Sequence, residues 1–215
     1  MAQDQPAVEG DQKASDSAPI VAFDFDGTLT VRDSFLAFLK WRQGPRRYVL
    51  GLGRLIPAAL AYLVHRDRGR IKAAAVREFL RGVSRERLVA DAQAFAELFS
   101  GSLLRPDALE TWNRWRSEPV RLVIVTASPD LTVAPFAQSL GADALLGTQL
   151  AFDIHDRVAG GLASPNCRGQ EKVRRMEGAF GPDFELKAAY GDTRGDLEML
   201  ARAQTSGYRI FKRSA

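Results

Sequence analysis

The sequence predicts an α/β fold: a three-layer parallel sheet with an all-helical cap inserted into it. Three observations predict this. Short apolar runs at residues 20–25, 121–125 and 185–190 end abruptly at acids, a hydroxyl or a glycine, as buried parallel strands do. Strand-like and helix-like segments alternate after residue 120, the pattern of a sheet covered by helices. Residues 33–117, between the first strand and the second, show helical periodicity throughout.

Taken in order, residues 1–18 are polar and rich in Ala, Asp, Gln and Ser. They lack the apolar stretch of a secretory signal and are expected to form a disordered tail. Residues 20–25 form the first strand. A helix over 34–41 carries Phe35, Leu36, Phe38 and Leu39. Residues 48–64 are almost wholly apolar, interrupted by Arg54, two glycines and Pro57. Residues 71–81 read as a helix with Phe79 and Leu80 inward. Ser84 is placed to cap the next helix, whose Leu88, Ala92, Phe95 and Phe99 fall on one face. A helix over 106–115 completes the set. Beyond it come a strand at 121–125, a helix at 129–139, a strand-like run at 144–150 and a hairpin at 151–162. A helix at 169–179, a strand at 185–190, a helix at 194–203 and a closing strand at 208–211 follow. The expected division is therefore residues 19–32 and 118–215 as the α/β core, with 33–117 as the cap. The insertion leaves the carboxyl end of a strand, where open α/β sheets bind ligands, so it is placed to act as a lid.

Composition narrows the function. The 215 residues suit one domain, or a core with an insertion. One cysteine, Cys167, leaves no intrachain disulfide. Two histidines exclude a multi-histidine metal cage and leave little for a serine–histidine triad. No run reaches the roughly 18–20 apolar residues of a spanning helix. The net charge of +4 is unevenly spread: residues 40–87 hold 13 Lys/Arg against 3 Asp/Glu. The partner of such a segment is anionic: a phosphate, an acidic lipid surface or a nucleic acid. The chain carries no nucleic-acid motif, so nucleic acid is not expected. The expected compartment is the cytoplasm.

The residues that carry chemistry lie at strand ends. In Phe23-Asp24-Phe25-Asp26-Gly27-Thr28 two acids follow an apolar strand, where Asp is depleted. Close carboxylates repel unless a cation lies between them, and hard oxygen donors suit Mg²⁺. The bland alternative is a capping Asp and an Asp–Gly turn. A second motif, Gly191-Asp192-Thr193-Arg194-Gly195-Asp196, again follows an apolar strand; alone, Asp192 could be a helix cap. Thr126 ends the strand at 121–125, where a hydroxyl and the following amides can cradle phosphate, or simply cap a helix. Lys172 carries no signal by itself.

In this order and spacing the four motifs resemble those of the haloacid dehalogenase superfamily of phosphotransferases, across roughly residues 20–210. The insertion and the Cys167-Arg168-Gly169-Gln170-Glu171-Lys172 stretch resemble the subgroup containing phosphoserine phosphatases (subfamily IB), with phosphatidylglycerophosphatase C-like proteins as the nearest branch. The resemblance implies a Rossmann-like core and a Mg²⁺-dependent phosphatase working through an aspartyl-phosphate. It makes Asp24 the nucleophile and Asp26 the acid–base. Asp24, Asp192 and the Asp26 backbone carbonyl would hold the metal. Asp196 would complete that shell or orient Lys172, and Thr126 with Lys172 would bind the phosphoryl oxygens. Asp33 stands where phosphoserine phosphatases carry a glutamate that reads the substrate amine; its shorter side chain speaks against phosphoserine, and it equally reads as a helix cap.

The substrate stays open between a phosphorylated lipid and a small soluble phosphate. An open apolar groove would favour the first and a sealed polar pocket the second. A regulatory protein with a phosphorylatable aspartate is a third reading, disfavoured by the intact pair of acids. The run at 48–64, flanked by Arg42, Arg46, Arg47, Arg66, Arg68, Arg70 and Lys72, reads either as a segment lying at the inner face of an anionic membrane or as a helix buried in the cap.

Overall fold

The structure is a computed structural model, and it describes residues 18–65 and 68–212. The polar stretch 1–17 and Arg66 lie outside the described residues. Five parallel strands form the central sheet, in the order β3-β2-β1-β6-β7. They are β1 (Ile20–Phe23), β2 (Arg121–Pro129), β3 (Ala144–Thr148), β6 (Leu186–Gly191) and β7 (Thr205–Tyr208). A hairpin of β4 (Leu150–Phe152) and β5 (Val158–Leu162) stands beside it.

Alternation along β1 and β2 sends side chains to two faces. Val21, Phe23, Leu122 and Ile124 enter one buried cluster, while Ile20, Ala22, Val123 and Val125 enter another. Helices α7 (Gln170–Phe180) and α8 (Leu197–Arg202) cover the second face through Met176, Met199 and Leu200. On the first face lie α5 (Pro106–Arg116), α6 (Asp130–Leu140) and the helices inserted after β1. This is a three-layer α/β architecture.

The inserted helices are α1 (Ser34–Arg54), α2 (Ile56–His65), α3 (Arg68–Leu80) and α4 (Arg85–Leu103); α5, also within the residues expected to form the cap, instead packs on the sheet through Trp112 and Phe23. Ser84 caps α4, its hydroxyl accepting from the Arg87 N–H. The Leu88, Ala92 and Phe95 stripe of α4 is buried. Phe95 meets Phe38 of α1 at 5.5 Å and Phe136 of α6 at 6.1 Å between ring centres. It thereby joins the insertion to the layer against the sheet. The hairpin fastens the other end: Gly82 N–H donates to Val158 C=O, and Val158 N–H returns to Val83 C=O.

Several elements differ from the sequence reading: the strand expected over 121–125 runs on to Pro129, and the run at 144–150 divides between β3 and β4. The closing strand runs over Thr205–Tyr208, not 208–211, because pairing with β6 decides the matter. Arg209 then turns into the left-handed region (φ 56°), and Phe211 packs against Phe23 and Tyr190. The helix expected over 34–41 continues to Arg54, bent at Gly44 (φ 73°) and Pro45. No helix among the described residues is long and apolar enough to cross a membrane.

Candidate active site

Strand register builds the site. Phe23 pairs with Ile124 on one side and Tyr190 on the other. Asp24 therefore leaves β1 between the ends of β2 and β6, at the point where strand order reverses and such sheets open a crevice. The Asp24 N–H still donates to Tyr190 C=O at 2.9 Å. The chain then turns sharply through Gly27, at φ 82°. A Cβ at Gly27 would overlap the Asp192 carboxylate, so glycine serves both the turn and the close approach.

Lys172, in the first turn of α7, is buried beneath these strand ends. Its ammonium lies 2.6 Å from Asp24 Oδ1, 2.7 Å from Asp196 Oδ1 and 2.5 Å from the Val125 carbonyl. Asp196 Oδ2 accepts from the Thr193 N–H and hydroxyl, both at 2.8 Å. Burial would lower the Lys172 pKa, but Asp24 and Asp196 reverse this and hold it above its ordinary value. Burial likewise opposes ionisation of Asp196, and Lys172 overcomes it, leaving the carboxyl below the usual range. At Asp24 burial wins: its carboxyl is pushed up to about 7 despite Lys172. Asp192 is also raised, first by burial and then by Asp196.

Asp24, Asp192 and Asp196 each offer an oxygen within 4.8 Å of the others. One ammonium faces three carboxylates there, and Asp192 Oδ1 is buried without a hydrogen-bond partner. A hard divalent cation with oxygen ligands fits this donor set, since it would satisfy that oxygen and offset the excess charge. The Asp26 side chain points elsewhere. Its Oδ1 accepts from the Ser34 N–H at 2.6 Å and its Oδ2 from the Ser128 hydroxyl at 2.5 Å. Ser34 is the first residue of α1, so the insertion itself holds this acid in place.

The remaining expected residues are placed as follows. Thr126 is fully buried, and its hydroxyl accepts from the Ser128 N–H. Ala127 and Ser128, rather than Thr126, line the cavity. Asp33 is the helix cap read from the sequence, accepting from the Leu36 N–H at 2.8 Å, and it also lines the cavity. Burial, then Asp26, pushes the Asp33 carboxyl up to about 6. Lys72 corrects the sequence reading. Grouped there with the surface arginines, it instead points inward and donates to the Ala127 carbonyl. Burial lowers its pKa. Sequence reasoning also missed Ser128 and Arg168; the latter donates to the Thr193 hydroxyl at 3.2 Å.

The acids line a cavity of about 820 Å³. The inserted helices line it with Phe35, Leu36, Leu52, Leu55, Ile56 and Ile71, among which Arg68 and Lys72 are interspersed. Charged chemistry and a hydrocarbon surface thus share one space.

Comparison with known proteins agrees with this arrangement. The haloacid dehalogenase-like hydrolase family matches across residues 21–201. Protein CicA of Caulobacter vibrioides is 60% identical over 193 residues, covering 90% of this chain and 86% of that protein. Among solved structures, a protein of unknown function from Bordetella pertussis Tohama I superposes with a TM-score of 0.74 at 18% identity. That match covers 88% of this chain and 89% of the other. A substrate-bound phosphoserine phosphatase complex superposes with a TM-score of 0.57 at 18% identity, over 89% and 85% of the two chains. At these identities the structural matches speak for the fold.

Proposed function

Because the chain belongs to the haloacid dehalogenase-like hydrolase family, we propose that it is a Mg²⁺-dependent phosphatase whose nucleophile is Asp24. The observation that carries this reading is the buried Lys172, bridging Asp24 and Asp196 beside the unpartnered oxygen of Asp192. In the first step an Asp24 carboxylate oxygen attacks phosphorus and the ester P–O bond breaks. Protonated Asp26 gives its proton to the departing alkoxide. Asp26, now a carboxylate, takes a proton from water as that water attacks the aspartyl-phosphate. The acyl-phosphate P–O bond breaks, releasing inorganic phosphate and restoring Asp24. The Ser34 N–H and Ser128 hydroxyl hold Asp26 at the leaving-group side throughout. Lys172 neutralises charge on the transferring phosphoryl oxygens, together with donors at the end of β2, where Thr126 orients the Ser128 amide. Held by Asp24, Asp192, Asp196 and the Asp26 carbonyl, Mg²⁺ would supply the further positive charge that lets one anion approach another.

The apolar side chains lining the cavity support a phosphomonoester that carries hydrocarbon, such as a phosphorylated lipid, over a small polar metabolite. Hydrolysis of p-nitrophenyl phosphate tests the chemistry. Activity is expected with Mg²⁺, to vanish in EDTA and to return on adding Mg²⁺. Asp24→Asn should abolish it, and Asp26→Asn should lower it ~10²–10⁴-fold. An Asp24→Asn protein of near-normal activity would defeat the covalent mechanism, and recovery with Zn²⁺ but never Mg²⁺ would defeat the metal assignment. A parallel screen of lipid phosphates against phosphoserine and similar soluble esters tests the substrate class.

A further inference from the structure

The apolar run read from the sequence does not sink into the insertion. Val49, Leu52, Ile56, Leu60 and Leu63 recur every three or four residues along α1 and α2 and are 41–69% exposed. Helical hydrogen bonding passes through the junction: Leu55 N–H reaches Gly51 C=O and Ala59 N–H reaches Leu55 C=O. Pro57 lies in the first turn of α2, where its missing N–H costs no bond. The two helices therefore present one apolar stripe. Isolated exposed apolar residues are ordinary, but a contiguous stripe of large ones marks an interaction surface.

Two observations say what it meets. Residues 34–65 contain five Lys/Arg and no Asp or Glu. Arg46 and Arg47 are exposed beside the stripe, and Arg54, though paired with Glu78, has a side chain 73% exposed. Secondly, Leu52 and Ile56 belong both to the stripe and to the wall of the catalytic cavity. The stripe is thus the rim of the cavity mouth. An apolar face whose two helices carry only basic charges, Glu78 of α3 pairing with one of them, complements an anionic lipid surface, with side chains in the acyl boundary and guanidinium groups among the headgroups.

We propose that the α1–α2 face docks on an anionic lipid bilayer and that the cavity mouth opens onto it. Docking itself stands apart from catalysis; only the idea that a lipid phosphate enters by this mouth rests on the phosphatase reading.

The test is sedimentation of the full-length protein with vesicles of phosphatidylglycerol and phosphatidylcholine, or of phosphatidylcholine alone. Binding is expected to the mixed vesicles, at least tenfold weaker to the neutral ones, with release in 1 M NaCl. Val49→Glu combined with Leu60→Glu, both on the stripe, should lower binding at least tenfold. Both residues are exposed and neither lines the cavity, so p-nitrophenyl phosphate hydrolysis should be unchanged. Ile154→Glu, on the exposed hairpin turn, should bind as wild type. Failure to bind mixed vesicles, or a double variant that binds normally, overturns the proposal. So does a dimer that the double variant dissolves, which would assign the face to a second copy of the chain. Vesicle binding without phosphate hydrolysis would leave docking standing and reject the enzyme reading.

Discussion

Asp24 shows how one residue's surroundings set its behaviour. Burial pushes its carboxyl up to about 7, from an ordinary 3.8, and the attraction of Lys172 only partly opposes this. Without metal, the folded protein therefore holds a proton that the unfolded chain releases between about pH 4 and 7. Stability from this group is complete at acid pH and is lost as pH rises through about 7. Asn imitates the protonated form. In EDTA, Asp24→Asn is expected to melt above wild type at pH 8, with the gap narrowing at pH 5 and closing only below about pH 4. A lower melting temperature at pH 8 would show that the Lys172 attraction outweighs burial. The same scale separates what was legible in the sequence from what was not. Asp24, Asp26, Asp192 and Asp196 stand out because acids directly follow apolar strands, a local pattern. Lys72 does not, because nothing nearby in sequence distinguishes it from surface arginines; only the packing of α3 turns it toward Ala127.

Among elements, α4 was the easiest helix to read. Its cap and its apolar spacing agree, and both appear in the structure. Phe95 is its most connected side chain, meeting rings of Phe38, Trp41, Phe99 and Phe136. Phe95→Ala removes those contacts and leaves a cavity. The expected cost is about 3–5 kcal/mol, measured as a shift of the denaturant midpoint at unchanged slope. A loss below about 1 kcal/mol would mean that the helices close over the gap. The closing strand was harder to read. Ser206 and Gly207 carry little strand propensity, whereas Tyr208, Ile210 and Phe211 carry much. Parallel pairing with β6 overrides that preference. The bend at Gly44 falls between the runs at 34–41 and 48–64, and the helical continuity across it to Arg54 was not legible in the sequence.

For the whole molecule, the insertion and the sheet are joined rather than merely tethered. Phe38, Phe79 and Leu88 of the inserted helices share one buried cluster with Val21, Phe23 and Ile124 of the sheet. Unfolding in guanidinium is therefore expected to be a single transition, with tryptophan fluorescence and circular dichroism superimposing. Trp41 lies in the insertion while Trp112 and Trp115 lie in α5, so fluorescence samples both parts. Two separated transitions would show that the insertion folds alone. The three-layer core was legible because each strand and helix carries its own period. The joint was not, because it depends on contacts between residues far apart in the chain, such as Phe95 with Phe136 and Gly82 with Val158.

The central position of β1 also sets a timetable. The strand is synthesised early, yet its neighbours in the sheet begin only at Arg121 and Leu186. At cellular translation rates, roughly 10–30 s separate the emergence of β1 from that of β6. Until β2 emerges both edges of this apolar strand are unpaired, and the edge that pairs with β6 stays open for the whole interval, while the inserted helices, built on local contacts, can already form. Asp24 meets Lys172 only after some 150 further residues have been added, and Asp192 and Asp196 only after some 170. A nascent chain that stalls before residue 186 therefore exposes a strand prone to aggregation and carries no assembled catalytic centre.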